Sequence, residues 1–318
     1  MPAARVRVAR MIPTIAFAFT LGIMTAAAPA DAATIKVMQY NTYHGGQKTG
    51  TTDGQLDTIA AQNPDVVTLQ EASASQLSYY VNGLNSRMGT SAWHGLYTMH
   101  CKSGTAPNCT YFSGESVMIL TRLKTVSSSA TLIWAPDDYW VARAALQMEI
   151  AAADGTTFHV FACHLPALSD AANSRITYVT TFQSWASNYS GARLVGGDFN
   201  AHPATTPITM MQQQYTDNWA AAGSGMGYTH DATSPTTRID YWFSAHASVS
   251  SIAVIDDPSS SDHRPVVATF TVTGGTTSTP STPPSTTEQT LMSDSFGSLT
   301  VRNGRAAFIP APSIPRSR

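Results

Sequence analysis

Leu194-Val195-Gly196-Gly197-Asp198-Phe199-Asn200-Ala201-His202-Pro203 is the segment around which the rest of this chain falls into place. An apolar strand starting at Arg193 breaks at two glycines, which let backbone or a ligand approach closely. Asp198 and Asn200, two residues apart, then face one cleft from the turn. An Asx turn capping the next helix is the plainer reading of the same pair.

The same arrangement recurs in both directions along the chain. Asn41 follows the strand IKVMQY (35–40), and Glu71 follows VVTL (66–69). His164 ends FHVFAC (158–163), and Asp240 sits inside the apolar run Arg238-Ile239-Asp240-Tyr241-Trp242-Phe243. Ser260-Ser261-Asp262-His263-Arg264-Pro265 precedes the last strand, VVATF. A strand fixes the position of the polar residue just past its end, so such residues are site candidates. Each also has an ordinary reading: a turn Asn, a carboxylate at a helix start, a structural His, a chance Asp-His pair. Asp240 is the exception, because a carboxylate within a buried strand must be paired or functional.

Between these strands the periodicity predicts helices. Asp53–Gln62 repeats apolar residues at Leu56, Ile59 and Ala60, with Asp53 as a cap and Asn63-Pro64 as the stop. Residues 73–87 carry Leu77, Tyr80, Val81 and Leu84 on one face, with Ser73 capping. Further helices are expected near 170–187 and 205–214. Further strands are expected near 117–121, 130–134, 142–150, 157–163, 193–195, 238–243, 249–255 and 265–271. Helices interleaved with many strands describe a mixed α/β domain.

Composition bounds the setting. The 318 residues are 43% hydrophobic, enough for a sizeable core, and only 12% charged. Arg5, Arg7 and Arg10 precede the apolar run 11–28, and Ala30-Asp31-Ala32 fits a small-x-small cleavage site. Residues 1–32 therefore read as a signal peptide rather than a membrane anchor. The expected product is secreted, in an oxidising compartment. There Cys101 and Cys109, in the loop-like CKSGTAPNC, are candidates for a local disulfide, with Cys163 a buried thiol. Residues 273–290 are a Thr/Ser/Pro linker. Residues 291–318 are too few for a core and read as an incomplete or disordered tail. One catalytic-sized domain, 33–272, remains.

That domain gathers carboxylates, amides and histidines at strand ends, without a Ser nucleophile in a strained elbow. Carboxylate and amide oxygens suit a hard cation such as Mg²⁺ or Mn²⁺ rather than a Zn²⁺ cage. A cation that neutralises phosphate, beside a His–Asp pair that activates water, fits metal-assisted phosphoester hydrolysis.

The ordered stretches MQYNTYHG, PDVVTLQEA, SVMILTR, FACHLPA, VGGDFNAHP, RIDYWF and SSDHRPVVATF resemble the endonuclease/exonuclease/phosphatase superfamily over about 35–272. The superfamily includes deoxyribonuclease-like enzymes, abasic-site endonucleases, inositol polyphosphate phosphatases and secreted bacterial sphingomyelinases. The resemblance implies a four-layer α/β (α+β) sandwich, two mixed β-sheets face to face with helices outside. It implies Glu71 as principal metal ligand, with Asn41 beside it and Asp262 completing or supporting the metal. His263 resembles the base and Asp240 its partner. His164 and Asn200 resemble phosphate-binding groups, and Asp198 resembles a residue that positions water or assists the leaving oxygen. Glu115 departs from the pattern and reads either as an acid supporting the site or as a solvated loop charge, the latter favoured. Arg143 reads either as a bidentate phosphate donor or as a rim salt bridge.

Residues 33–272 carry eleven Lys and Arg against seventeen Asp and Glu, a balance of −6. That is not the basic excess a duplex-binding groove normally uses. A metal-dependent nuclease or general phosphodiesterase is the leading expectation, acting as a monomer with no obligate protein partner. Sphingomyelinase-like or inositol-phosphate hydrolysis stands second. A lipid enzyme needs exposed aromatics at a membrane-facing loop, for which Trp93 and Asp137-Asp138-Tyr139-Trp140 are candidates. A non-catalytic binding module is the remote alternative, since such a module is expected to lose at least one of Glu71, Asp198, Asp240 and His263.

Overall fold

The computed structural model of the chain describes residues 32–134, 141–273, 289–293, 298–302 and 305–309. The leader apart from Ala32, the linker apart from its end residues, and Asp137–Trp140 lie outside the described residues.

The first half runs β1 (Ala32–Asn41), α1 (Thr52–Gln62), β2 (Val66–Ser73), α2 (Leu77–Arg87), β3 (His94–Thr105), β4 (Asn108–Thr121) and β5 (Lys124–Trp134). The second runs β6 (Ala142–Ala151), β7 (Thr157–His164), α3 (Ala172–Ala186), β8 (Arg193–Asp198), α4 (Thr206–Met211), β9 (Thr216–Asp217), α5 (Asn218–Ala222), β10 (Asp240–Ala245), β11 (Ala247–Val254) and β12 (Val266–Thr273). Asn63 ends α1 in the left-handed conformation, φ 50°, just before Pro64. Thr51, not Asp53, is the N-cap of α1, and Asp53 lies in its first turn. Ser73 and Gln76 form a capping box over a short 3-10 turn that leads into α2. The apolar face expected on α2 is buried at Leu77, Tyr80, Val81 and Leu84.

Two parallel pairs, β1 with β2 and β7 with β8, are each joined by one helix, α1 and α3. The other strands pair antiparallel. The ladder order is β11-β12-β1-β2-β4-β3-β6-β7-β8-β10-β9, with β5 on β6. Where two separate sheets were expected, hydrogen bonding runs as one mixed path, joined between β3 and β6 by the single pair Cys101–Ala142. One core cluster takes side chains from both sides of that junction, among them Val37, Ile119, Leu146, Val160 and Phe270. Two further clusters pack helices against the sheet. One carries Leu56, Tyr80 and Leu84 of α1 and α2, and the other Tyr178, Phe182 and Ile208 of α3 and α4.

CKSGTAPNC is not a loop. Gly104 pairs with Cys109 and Thr105 with Asn108, so β3 and β4 are the arms of a hairpin. The Cys101–Cys109 disulfide bridges those arms, Cα to Cα 5.8 Å. Cross-strand pairing overrides the loop-type composition, and Pro107 falls at the turn, where its missing N–H costs no ladder bond. Cys163 is buried in β7. In the expected tail, β13 (Gln289–Ser293), β14 (Ser298–Arg302) and β15 (Arg305–Ile309) pair in succession, and β13 adds antiparallel to β3 at Met292–Tyr97. An open strand edge offers N–H and C=O groups to any passing segment, which a tail's composition does not reveal.

Candidate active site

The double glycine of β8 is explained by packing. A Cβ on Gly196 would meet Trp242 Cη2 at 2.7 Å and Thr68 Oγ1 at 2.6 Å, and one on Gly197 would strike the Cys163 carbonyl. Only glycine lets β8 lie this close to its neighbours. That close packing delivers the site, because His164 of β7 and Asp240 of β10 both pair with Asp198 in register. Three chemically active residues thus form one row across three strands.

His263 enters from the segment before β12. Its Nδ1 bonds Asp240 Oδ2 at 2.7 Å, and its Nε2 lies 3.8 Å from Asp198 Oδ2. Gln39 of β1 donates to the other Asp240 oxygen at 2.8 Å and to Gln70 at 2.7 Å. The strand-interior carboxylate of Asp240 is therefore paired on both oxygens, as its burial requires. Asn41 donates through Nδ2 to Glu71 Oε1 at 3.1 Å and to Asp198 Oδ2 at 3.0 Å, tying the two strand ends together. Asp198, Asp240 and His263 offer ligand atoms within 4.8 Å of one another, and so do His230, Asp262 and His263.

Asp198 and Asn200 do form an Asx turn: Asp198 Oδ1 accepts from the Asn200 backbone N–H at 2.8 Å. No helix follows until Thr206, so the turn serves the site rather than a helix cap. Asn200 donates through Nδ2 to Leu165 O at 3.1 Å. Asn200 (φ 46°), Glu71 (φ 59°) and His44 (φ 55°) all hold left-handed backbone. Strain of this kind collects at functional sites and persists because surrounding structure enforces it.

His164 is 2% exposed, and neither ring nitrogen has a hydrogen-bond partner among the described residues. Its Nε2 faces Asp198 at 3.6 Å and Glu71 at 3.9 Å. Burial, with the nearby Arg143 charge adding to it, holds its imidazole well below the usual histidine range, so the ring is neutral. Burial also opposes charge on His263, but Asp240, Asp198 and Asp262 outweigh it and raise that imidazole above its ordinary value. Burial and then Asp240 push the Asp198 carboxyl up to about 7.

Two expectations change. Glu115 is not a solvated loop charge: it is paired with His44 Nδ1 at 2.6 Å, its side chain 23% exposed. Burial and then the Glu71 charge raise its carboxyl above the usual range. β4 reaches further toward its start than the apolar run 117–121 indicates, and this extension carries Glu115 to the site. Arg143 is not at a rim. It lies buried within β6, and its charge acts on His100, His164 and Glu115. Asp262 faces His263 and His230, each at 3.9 Å.

Gln39, His44 and His230 are the participants that sequence reasoning missed. Gln39 had a signal of the same kind as Asp240, a polar residue inside an apolar strand. His44 and His230 had none, because their partners are distant in the chain.

A family model described as the endonuclease/exonuclease/phosphatase family matches residues 38–263. The chain belongs to this family. No curated protein matches the sequence. Among solved structures, an endonuclease/exonuclease/phosphatase family protein from Bacteroides thetaiotaomicron is similar at 15% identity and TM-score 0.63, over 76% of this chain and 96% of that one. The human Nocturnin catalytic domain with bound sulfate aligns at 20% identity and TM-score 0.58, over 77% and 98%. A mannosyl-6-phosphatase from B. thetaiotaomicron aligns at 15% identity and TM-score 0.59, over 74% and 99%. At these identities the likeness concerns the fold.

As a member of this family of metal-dependent phosphoesterases, the chain needs a cation site, and its residues fit one. Glu71, Asp198 and Asp262 present carboxylate oxygens, whereas the expected ligand Asn41 turns its Nδ2 to Glu71 and Asp198 while its Oδ1 accepts from the Tyr43 N–H; Cys101 and Cys109 are tied up in the disulfide and Cys163 is a buried thiol. Burial first, and then the neighbouring acids Asp240 and Glu71, raise Asp198 and Glu115, and a divalent ion would relieve the repulsive part.

Proposed function

We propose that the chain is a secreted hydrolase of phosphodiester bonds that depends on Mg²⁺ or Mn²⁺. The supporting observation is the buried Asp240–His263 pair at 2.7 Å with Nε2 turned toward Asp198. Glu71, with Asn41 and Asp262, would hold the ion, which supplies charge neutralisation at the phosphate. Asp240 fixes the His263 ring with Nε2 toward Asp198, and a cation neutralising the neighbouring acids would lower the raised imidazole and free Nε2 to take a proton from water. Asp198, whose Oδ2 lies 3.8 Å from that Nε2, would orient the water. Neutral His164 and the Asn200 amide donate to phosphate oxygens as charge builds there. Arg143 offsets the surrounding acids from behind. The core cluster shared across the β3–β6 junction supports reading the path as the family's four-layer sandwich.

The test is turnover of bis(p-nitrophenyl) phosphate with Mg²⁺, compared between the wild type, Glu71→Ala and His263→Ala. Equal rates in all three would reject the reading.

Lipid phosphodiesters are a second reading. Trp93 no longer supports it, being buried with its Nε1 on Met88 Sδ. Tyr111 and Phe112 do, exposed by 60% and 40% on the disulfide-closed hairpin. Exposed aromatics of this kind suit a bilayer interface.

A further inference from the structure

Glu71 stands outside the ladder of its own strand. Between β2 and β4, Gln70 pairs with Val117 and Ala72 with Ser116, which leaves Glu71 as the extra residue of a β-bulge. Its backbone is left-handed, φ 59°. A bulge re-aims the side chain it carries and leaves that residue unpaired. The carboxylate is therefore held from outside the sheet pairing. Asn41 Nδ2 donates to Oε1 at 3.1 Å, and the main-chain N–H of His44 donates to Oε2 at 3.3 Å.

The second donor comes from a strained turn. Tyr43, His44, Gly45 and Gly46 have φ of 47°, 55°, 66° and 74°, four left-handed residues in succession. Glycine takes that conformation freely, whereas Tyr and His take it at a cost. Gln76 Nε2 and Thr52 Oγ1 brace the glycine half, donating to Gly45 O at 2.8 and 2.7 Å. His44 is braced by its ring. Its Nδ1 lies 2.6 Å from Oε1 of Glu115, which stands on β4 opposite Ser73, two residues past the bulge. That ring sets Nε2 3.9 Å from Glu71 Oε2. Its side chain is 39% exposed, so core packing does not account for the costly conformation. The strain is explained if the turn exists to aim His44 at Glu71.

Resting on the phosphoesterase reading, we propose that Glu115 and His44 are positioning residues for the metal ligand Glu71. Glu115 anchors the His44 ring to β4, the ring holds the left-handed turn, and the turn keeps its N–H on Glu71 Oε2. With Asn41 on the other oxygen, the carboxylate is set in one orientation before the ion arrives, which strengthens binding. His44 transfers no proton in this role. The competing account makes Glu115 only an added negative charge near the ion. The two accounts differ in whether the effect of Glu115 passes through His44.

The test reads Mg²⁺ affinity by calorimetry without substrate, beside metal-free thermal melts and kinetics on bis(p-nitrophenyl) phosphate. His44→Ala and Glu115→Ala should each weaken Mg²⁺ binding about tenfold or more. The double variant should bind no more weakly than His44→Ala alone. His44→Asn, which tolerates left-handed backbone and keeps a donor near the Nδ1 position, should recover most of the loss. The Mg²⁺ concentration for half-activation should rise in step, and kcat at saturating Mg²⁺ should fall by a smaller factor. Glu115→Gln keeps an oxygen for the His44 N–H but not the charge, and it decides the matter even if His44→Ala does not fold. It should bind Mg²⁺ far more tightly than Glu115→Ala. Equal losses in Glu115→Gln and Glu115→Ala, or additive losses in the double variant, make Glu115 a charge alone and overturn the inference. Unchanged Mg²⁺ affinity in the single variants, whatever their melts, makes the couple structural and overturns it too. A wild type that binds Mg²⁺ but turns over no ester rejects the phosphoesterase reading, and the calorimetry still decides the role of the couple.

Discussion

Asp240 lies directly across the β8–β10 ladder from Asp198, so two buried carboxylates share one row of the sheet. Left alone, such a pair would be strongly unfavourable. Here Gln39 and His263 occupy the oxygens of Asp240, and Asn41 and the Asn200 backbone occupy those of Asp198. Each acid has its own set of donors, and the imidazole between them faces both. In the proposed mechanism this separates their roles: one carboxylate orients the base and the other faces the place where water is deprotonated.

His263→Ala should lower kcat/KM on a phosphodiester by about 10³-fold, within the range of a lost general base. Asp240→Asn should lower it nearly as far. Because the two act as one unit, the double variant should be no slower than His263→Ala alone. Additive losses in steady-state kinetics would contradict the paired role.

Chelation should abolish activity, and Mg²⁺ should restore it. Asn41→Ala removes the link between Glu71 and Asp198 while leaving both carboxylates in place. The Mg²⁺ concentration for half-activation should then rise about 10–100-fold, as for lost supporting bonds at other metal sites. An unchanged Mg²⁺ titration would argue against a site at Glu71.

Asp257 anchors the segment that presents His263. It accepts from Thr58 at 2.6 Å, Tyr40 at 3.0 Å and the Ser260 backbone at 3.1 Å. Burial raises its carboxyl, but these bonds outweigh burial and leave it below the ordinary value. A depressed folded value means stabilisation present above the unfolded pKa of about 3.9 and lost as pH falls through the folded one. Asp257→Asn should cost about 1–3 kcal/mol at pH 7. Urea unfolding should show wild type and variant converging toward pH 2–3, roughly the window just below that unfolded value.

The Cys101–Cys109 bridge closes a loop of sequence separation 8. Short loops constrain the unfolded chain modestly, so Cys101→Ser/Cys109→Ser should lose about 2–3 kcal/mol. A thermal melt, compared with wild type under reducing and oxidising conditions, measures this. Wild type should match the double variant only when reduced.

Much of the site was legible along the chain because a polar residue at the end of a buried strand is conspicuous. Asn41, Glu71, His164, Asp198, Asp240 and His263 all met this condition, and the structure brings them together. Asp262 also arrives, but facing His230 as well as His263. His44 and Glu115 were unreadable because their pairing spans 71 positions and depends on β4 extending beyond its apolar core. Arg143 could be read as a phosphate donor or as a rim salt bridge because a single Arg before an apolar run carries no mark of burial.

The chain's local chemistry alone determined the alternation of strands and helices, the breaks at Gly196-Gly197 and Asn63-Pro64, and the list of polar strand ends. Those follow from side-chain periodicity and backbone preference within a few residues. Tertiary structure decided which ends meet. The bond from Gln39 to Asp240 joins residues 201 apart, and the row His164–Asp198–Asp240 exists only at one strand register. Registers and chain closures of that length are set by the whole core packing at once, which no short stretch of sequence encodes.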